Sequence, residues 1–296
     1  MDLEAWEKLQ LAGKAGADAL KLGVGLAKEG ARLLDIAETI EARVRQLGAK
    51  PAFPVNICIN EVAAHYSPTH DDPLILRRGQ VVKIDLGAHV DGYIADIART
   101  VEITTNSWSE LIKASEVALE TAIDTVRPNV PTRMIGSAVE RTIESYGFRP
   151  VMNLTGHSIE RYVLHAGKSI PNVGDRTSDV LAKGDVVAIE PFSSAGAGKV
   201  EGRKPSNIYR LLRARDMKNE SVNRMVKFIE ESYRGLPFAE RWCYRFDEKA
   251  PAILKKLQRT GLITTYKQLV DIGNGMVAQT EHTMLVTDEG AKLTTA

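Results

Sequence analysis

The stretch KIDLGAHVDGYIADIARTV, Lys83 to Val101, decides how the chain is read. Asp91-Gly92 accepts the positive φ angles of a two-residue hairpin turn, so the flanking residues are expected to pair as antiparallel strands. Val90 then faces Tyr93, Ala88 faces Ala95, Leu86 faces Ile97 and Ile84 faces Arg99. Side chains alternate along a strand, so Ile84, Leu86, Ala88, Val90, Tyr93, Ala95 and Ile97 share one nearly apolar face that should meet a core. The other face carries Lys83, Asp85, His89, Ile94 and Asp96. There Asp85 and Asp96 become diagonal neighbours, within about 7–8 Å across the ladder, where like charges repel. Two readings are open. Either the face is solvated, with Lys83 nearby, or the two acids share a cation whose other ligands come from elsewhere.

Comparing the chain with itself supplies a partner for this stretch. GQVVKID, Gly79 to Asp85, recurs as GDVVAIE, Gly184 to Glu190, which makes Glu190 the counterpart of Asp85. Helical patterns precede both copies. Residues 3–28 and DIAETIEARVRQLG lead to the first, the latter with an expected capping box at Asp35 and Glu38 and a stop at Gly48. A helix over 108–126 and another in TRMIGSAVERTIESYG, ended by Gly147, lead to the second. Two helices followed by strands, twice, predict a duplicated α+β unit. Residues 213–259 break this rhythm with twelve Lys/Arg against seven Asp/Glu and expected helices at 219–233 and 247–260. They read as a small helical subdomain inserted before the final strands, with a solvated charged face rather than a surface for nucleic acid.

Bulk properties narrow the remaining choices. A chain of 296 residues, 44% apolar and 26% charged, has the composition of a globular protein with one large core and room for a small insertion. A net charge of +1 gives no reason to expect general binding to nucleic acid or membranes. Cys58 and Cys243 make neither a disulfide framework nor a C-x-x-C motif, which favours a reducing compartment. The first residues, MDLEAWEKLQ, are acidic and amphipathic where a secretory signal is basic and then apolar, and no run reaches the length of a membrane span. A cytoplasmic location is expected.

Further acids and imidazoles then stand out. NLTGHSIERYVLHAG supplies His157 and His165, and VAQTEHTMLV places Glu281 and His282 in a strand-like apolar run. An acid buried in such a run costs several kcal/mol unless it is paired or bound to metal. Asp85, Asp96, Glu190 and Glu281 with one imidazole would form an oxygen-rich set suited to two hard divalent ions, roughly 3.5–4 Å apart, that activate a water. Spacing alone does not bring these residues together.

KPAFPVNICINEVAAHYSP, KIDLGAHVDGYIADIARTV, NLTGHSIERYVLHAG, VVAIEPFSSAGAGKV, LPFAERW and VAQTEHTMLV together resemble type II methionine aminopeptidases of archaeal style, over essentially the whole chain. The resemblance implies an α+β pita-bread fold with pseudo-two-fold symmetry, residues 1–198 and 263–296, and a winged-helix-like helical insertion over 199–262. It places the metal ligands at Asp85, Asp96, His157, Glu190 and Glu281, and substrate-contacting histidines at His65 and His165. It also implies a methionine pocket at Phe53, Leu164 and Tyr266, and leaves His70, His89 and His282 with structural roles. Two departures stand against the family pattern: Thr280 where phenylalanine is usual, and Cys58 where serine is common.

The activity so implied is removal of the initiator methionine from nascent proteins by a water activated by two divalent cations, cobalt, manganese, iron or zinc. Glu190 would shuttle the proton, His165 would steady the oxyanion, and His65 would contact substrate near the scissile amide or protonate the leaving amine. The partners expected are methionyl peptides, with ribosome contact left open, no membrane, no specific nucleic acid and a monomeric state. A prolidase-type Xaa-Pro aminopeptidase and a non-catalytic binding protein of the same fold are the alternatives.

Overall fold

The computed structural model describes residues 2–174 and 179–295. Helices α1 (Leu3–Leu26) and α2 (Leu33–Gln46) precede β1 (Lys50–Pro51), β2 (Asn56–Ile59), β3 (Val62–Ala64), β4 (Val81–Val90) and β5 (Tyr93–Glu102). Helices α3 (Ser109–Thr125) and α4 (Thr132–Ser145) precede β6 (Arg149–Pro150), β7 (Thr155–Ile159), β8 (Ser169–Pro171), β9 (Val186–Ile189) and β10 (Phe192–Ser194). A long strand β11 (Val200–Leu211) then leads through α5 (Glu220–Tyr233), β12 (Phe238–Ala239), α6 (Glu240–Phe246) and α7 (Ala250–Arg259). The chain returns along β13 (Ile263–Asp271), β14 (Val277–Gln279), β15 (Glu281–Thr287) and β16 (Gly290–Leu293).

The hairpin forms in the expected register, with Val90 opposite Tyr93, Leu86 opposite Ile97 and Ile84 opposite Arg99. Its apolar face packs under α1 and α2, where Ile84, Leu86, Ala88 and Ile97 join Ala19, Ile36 and Ile40 in one core. The second half repeats the device, since Ile135, Val139 and Ile143 of α4 meet Val187 and Ile189 of β9. Both copies of the repeated motif turn at a glycine with positive φ, +78° at Gly79 and +90° at Gly184, a conformation glycine takes without steric cost. The halves join in one sheet of order β1-β4-β5-β15-β9-β7-β8, so β15 is the seam between β5 and β9.

Two local expectations are corrected. Helix α2 starts at Leu33, two residues before the supposed cap at Asp35. A tertiary hydrogen bond from the Leu33 amide to the Leu74 carbonyl, 3.0 Å, serves its first turn instead, while Glu38 pairs outward with Arg245 at 2.6 Å. The solvated reading of the hairpin's polar face also fails, because Lys83 is 1% exposed, Asp96 4% and His89 6%. Lys83 does not reach for the acids. It donates to the Asn60 carbonyl at 2.7 Å, and burial drives its ammonium down to about 7.

Helices α5, α6 and α7 build a separate apolar cluster from Val222, Met225, Ile229, Trp242, Leu254 and Leu257. Helix α6 was not expected from sequence. It carries part of LPFAERW, and three successive side chains of that motif reach across to the main sheet's side of the molecule. Glu240 accepts from the His70 backbone amide at 3.3 Å and lies 3.0 Å from His70 Nδ1. Arg241 pairs with Glu41 of α2 and donates to Ser67 Oγ at 2.8 Å and to the Pro68 carbonyl at 2.9 Å. Trp242 Nε1 donates to Glu41 at 2.7 Å. Arg241 and Glu41 are both about 1% exposed.

Arg241→Leu should therefore strand the Glu41 carboxylate in the interior and cost about 3–5 kcal/mol, whereas removing both charges with Glu41→Leu as well should recover most of that loss. Denaturant midpoints of the parent, the single and the double variant decide it. A single variant that unfolds where the parent does would show that the clamp contributes nothing.

Candidate active site

Strand parity predicts which side chains meet. Asp85 and Glu281 are both register partners of Ala98, so β4, β5 and β15 carry them in one row, and Glu190 follows β9 beside that row. Two residues along each strand, and hence on the same face, a second row holds Asp96 opposite Gly87 and His157 opposite Ala188. The four carboxylates and one imidazole thus share the face of the sheet opposite the α1/α2 core. His157 Nε2 lies 3.7 Å from Asp96 Oδ2, and single ligand atoms of Asp96, His157 and Glu281 fall within 4.8 Å of one another.

These acids are poorly compensated. Asp85 Oδ1, Asp96 Oδ1 and Glu281 Oε1 are buried without a hydrogen-bond partner among the described residues. Gln279 Nε2 is a weak common donor, 3.4 Å from Asp85, 3.2 Å from Glu190 and 3.4 Å from Glu281. Burial is the main reason their protons are held. Asp85 is pushed up to about 7, and Asp96, Glu190 and Glu281 are raised well above the usual carboxylate range, by burial first and then by their neighbours' negative charge. Burial likewise depresses the nearby imidazoles, His65 to about 4 and His157 to about 3, and lowers His165, so all three are neutral at neutral pH. Orphaned oxygens beside a neutral imidazole fit one or more hard divalent cations, which would satisfy those oxygens and displace those protons.

The cavity over this face has a volume of about 420 Å³ and is lined by all ten residues singled out in the sequence. His165 stands edge-on to His157 with ring centroids 4.3 Å apart, and His65 stands edge-on to Tyr266 at 5.3 Å. His65 takes a positive φ of 65°, uncommon for a residue with a Cβ, and its loop is anchored by Ser67, which receives Arg241 and donates to the Val55 carbonyl at 2.8 Å. Phe53 lies against Gly87 on the acid-bearing face. A Cβ at that glycine would come within 2.4 Å of the ring, so position 87 is open so that Phe53 can approach the sheet. Ile208 of β11 and Pro237, just before β12, complete the wall.

Gln279 was missed in the sequence, although its place two residues before Glu281 in a strand-like run puts both on one face. The two departures are absorbed. Thr280 Oγ1 is hydrogen-bonded to Ser115 Oγ of α3 at 2.9 Å, a polar contact in place of an aromatic one. Cys58 is buried, its sulfur accepts from the Tyr66 amide at 3.3 Å, and burial pushes its thiol up to about 12. His70 and His282 are engaged in structural contacts, His70 with Glu240 and His282 Nδ1 with Thr295 Oγ1 at 2.8 Å.

Comparison with known proteins adds an independent line. The model of metallopeptidase family M24 matches residues 7–288. The chain is 45% identical, over 100% of both sequences, to a protein of Methanocaldococcus jannaschii called methionine aminopeptidase. Among solved structures it is similar to a methionine aminopeptidase of Thermotoga maritima, with a TM-score of 0.73 at 24% identity over 100% of this chain and 98% of that one. It is also similar to a thermophilic Arx1, with a TM-score of 0.87 at 18% identity over 99% and 91%. At those identities the structural likenesses speak for the fold alone, which is the pita-bread arrangement that the duplicated motif anticipates. With the family match running over nearly all of the chain and the identity running end to end, the chain belongs to metallopeptidase family M24, among its methionine aminopeptidases.

Proposed function

We propose that the chain removes the initiator methionine from nascent proteins, with Asp85, Asp96, His157, Glu190 and Glu281 holding two divalent cations. The observation that carries this reading is the convergence of four carboxylates and an imidazole, drawn from both halves and the seam strand, on one wall of a cavity whose other residues include neutral histidines and apolar groups. When bound, the ions supply Lewis-acid activation of a water and of the scissile carbonyl. The chain's own groups do the rest. Glu190, on the cavity wall beside the other acids, takes the proton of the attacking water and returns it to the leaving amine. His165, neutral and open to the cavity, donates a hydrogen bond to the oxyanion as it develops. His65 contacts the substrate beside the scissile amide, where its neutral ring adds no charge to repel the substrate's amino terminus.

Phe53, Leu164 and Tyr266 form the side of the cavity that receives the methionine side chain, with Ile208 and Pro237 closing it. Residues 199–262 are read as an inserted subdomain of a catalytic domain formed by 1–198 and 263–296, a division supported by the separate apolar cluster of α5 to α7. None of the described helices is long and apolar enough to cross a membrane. The reading places the protein in the cytoplasm, working as a monomer on chains that leave the ribosome.

Three outcomes test this reading. The folded chain holds protons on acids such as Asp85, raised from an ordinary 3.8 to about 7, that the unfolded chain has released. Metal-free stability from these groups is therefore present at low pH and lost as pH climbs towards the folded value, and cations remove that loss. The gain in melting temperature from added manganese should grow from about pH 5 to about pH 8, and an equal gain at both in calorimetry would reject the metal assignment.

Glu190→Gln keeps size and one coordinating oxygen but cannot shuttle a proton. At saturating metal its kcat on a methionyl peptide should stay about 10²–10⁴-fold below the parent. Recovery of the parent kcat would reduce Glu190 to a ligand.

His165→Ala should retain metal, measured by elemental analysis, while kcat drops by about 10²-fold or more for loss of one oxyanion donor. Lost metal would mean that the roles of His157 and His165 are exchanged.

A further inference from the structure

A second cavity, about 410 Å³ in volume, lies between the end of α2, strand β1, the end of β4 and the insertion. It backs onto the first. Pro51 lines it and Phe53 lines the active-site cavity, and Leu236 lines it where the adjacent Pro237 lines the other. Leu236 and Phe53 belong to one packed cluster, so the two spaces share a wall made of residues 51–53 and 236–237.

The chemistry of this second space is one-sided. Arg45, Lys50 and His89 are among its lining residues, and among the described residues no carboxylate is. Among the described residues neither Arg45 nor Lys50 has an ion-pair partner; Arg45 lies over the Trp242 ring at 6.0 Å. Lys50 and Arg234, whose guanidinium lies 4.2 Å over Tyr162, both bear on His89 with positive charge, opposed there by the Asp91 carboxylate, which is paired with Lys8 at 2.9 Å outside this cavity's lining. His89 itself is 94% buried by its 6% exposure, and its Nδ1 accepts the Gly92 amide at 3.1 Å. The ring's proton therefore sits on Nε2, which has no partner among the described residues. A largely buried imidazole, its orientation fixed by the Gly92 amide, thus lines a space with two cations that lack ion-pair partners among the described residues, while Tyr233, Leu236 and Trp242 offer apolar surface. Sequence alone assigned His89 a structural role only.

We propose that this cavity binds a small organic anion, an acidic group held by Lys50, Arg45 and the His89 Nε2 donor and a flat apolar body set against Tyr233 and Trp242, and that its occupant presses on the shared wall of the methionine pocket. Two cations and one N–H can hold a sulfonate, carboxylate or phosphate without burying an unpaired charge. The binding half stands by itself. The coupling half rests on the reading of the neighbouring cavity as the substrate site.

The probe is naphthalene-1-sulfonate, whose charge is permanent and which coordinates divalent metals weakly, titrated into metal-loaded protein by calorimetry. Saturable one-to-one binding is expected. Lys50→Ala and Arg45→Ala, both at exposed positions that should leave the fold intact, should each weaken it on the order of 10-fold, the size of one charge-assisted contact. Neutral naphthalene-1-methanol should bind far more weakly. Equal affinity in the parent and both variants, or no saturation, overturns the site. Binding of a short single-stranded RNA that loses affinity in Lys50→Ala, with none of the sulfonate, also overturns it, in favour of a nucleic-acid contact. In parallel, the sulfonate should change KM for a methionyl peptide in the parent and not in Lys50→Ala, with kcat little altered. Binding without any change in KM overturns the coupling and leaves the cavity assignment standing. Because calorimetry does not depend on turnover, loss of the aminopeptidase reading is distinguishable from loss of this one.

Discussion

Everything in this structure answers to the cost of holding four acids together, buried and short of partners, on one face of one sheet. In water they would separate; here β4, β5, β15 and the end of β9 hold them in two rows set by backbone hydrogen bonding. That arrangement persists because the opposite face of the same strands is buried under α1 and α2 in one half and under α3 and α4 in the other. Apolar burial at roughly 25 cal/mol per Å² is the force that keeps the rows from splaying. The cations that the site is shaped to take turn a liability into the reagent.

Much of this was legible in the sequence because it follows from period-two alternation. The Asp91-Gly92 turn fixed a register, the register fixed which face holds Asp85 and Asp96, and the repeat pointed to Glu190. What escaped was non-local or lacked alternation. The start of α2 is satisfied by Leu74, a residue over forty positions away, so no local capping pattern could reveal it. Strand β11 runs exposed over Glu201–Pro205, without the alternating pattern that marks a half-buried strand. It exists because β13 pairs along it, from Val200 opposite Asp271 to Leu211 opposite Ile263. Asp271 itself gave no sequence signal, yet it is buried and accepts from Ser194 Oγ and from the amides of Ala197, Gly198 and Gly273.

The motif LPFAERW shows the difference between detecting a feature and understanding it. In sequence it is one of the six stretches that together carry the family resemblance. In three dimensions it ties the insertion to the loops that present His65 and Phe53, through Arg241 to Ser67 and from Ser67 to Val55. Specificity residues lie on loops, and loops need something rigid behind them. The stretch from β11 to α6 thus supplies both part of the cavity wall, at Ile208 and Pro237, and the brace for the opposite side.

The position of β15 has a consequence for how such a molecule comes into being. The seam strand that joins β5 to β9, and that brings Glu281 to the acids, is synthesised after both of its neighbours and after the whole stretch from β11 to β13. Until it emerges, each half has its helices and part of its sheet, but the two hydrogen-bonded edges that β15 will fill stand unpaired. Contacts this distant in sequence form slowly, and unpaired edges invite association with other chains. An enzyme that we propose acts on chains still being made is itself without the full set of acids we propose as its metal ligands until its own chain has left the ribosome as far as Glu281.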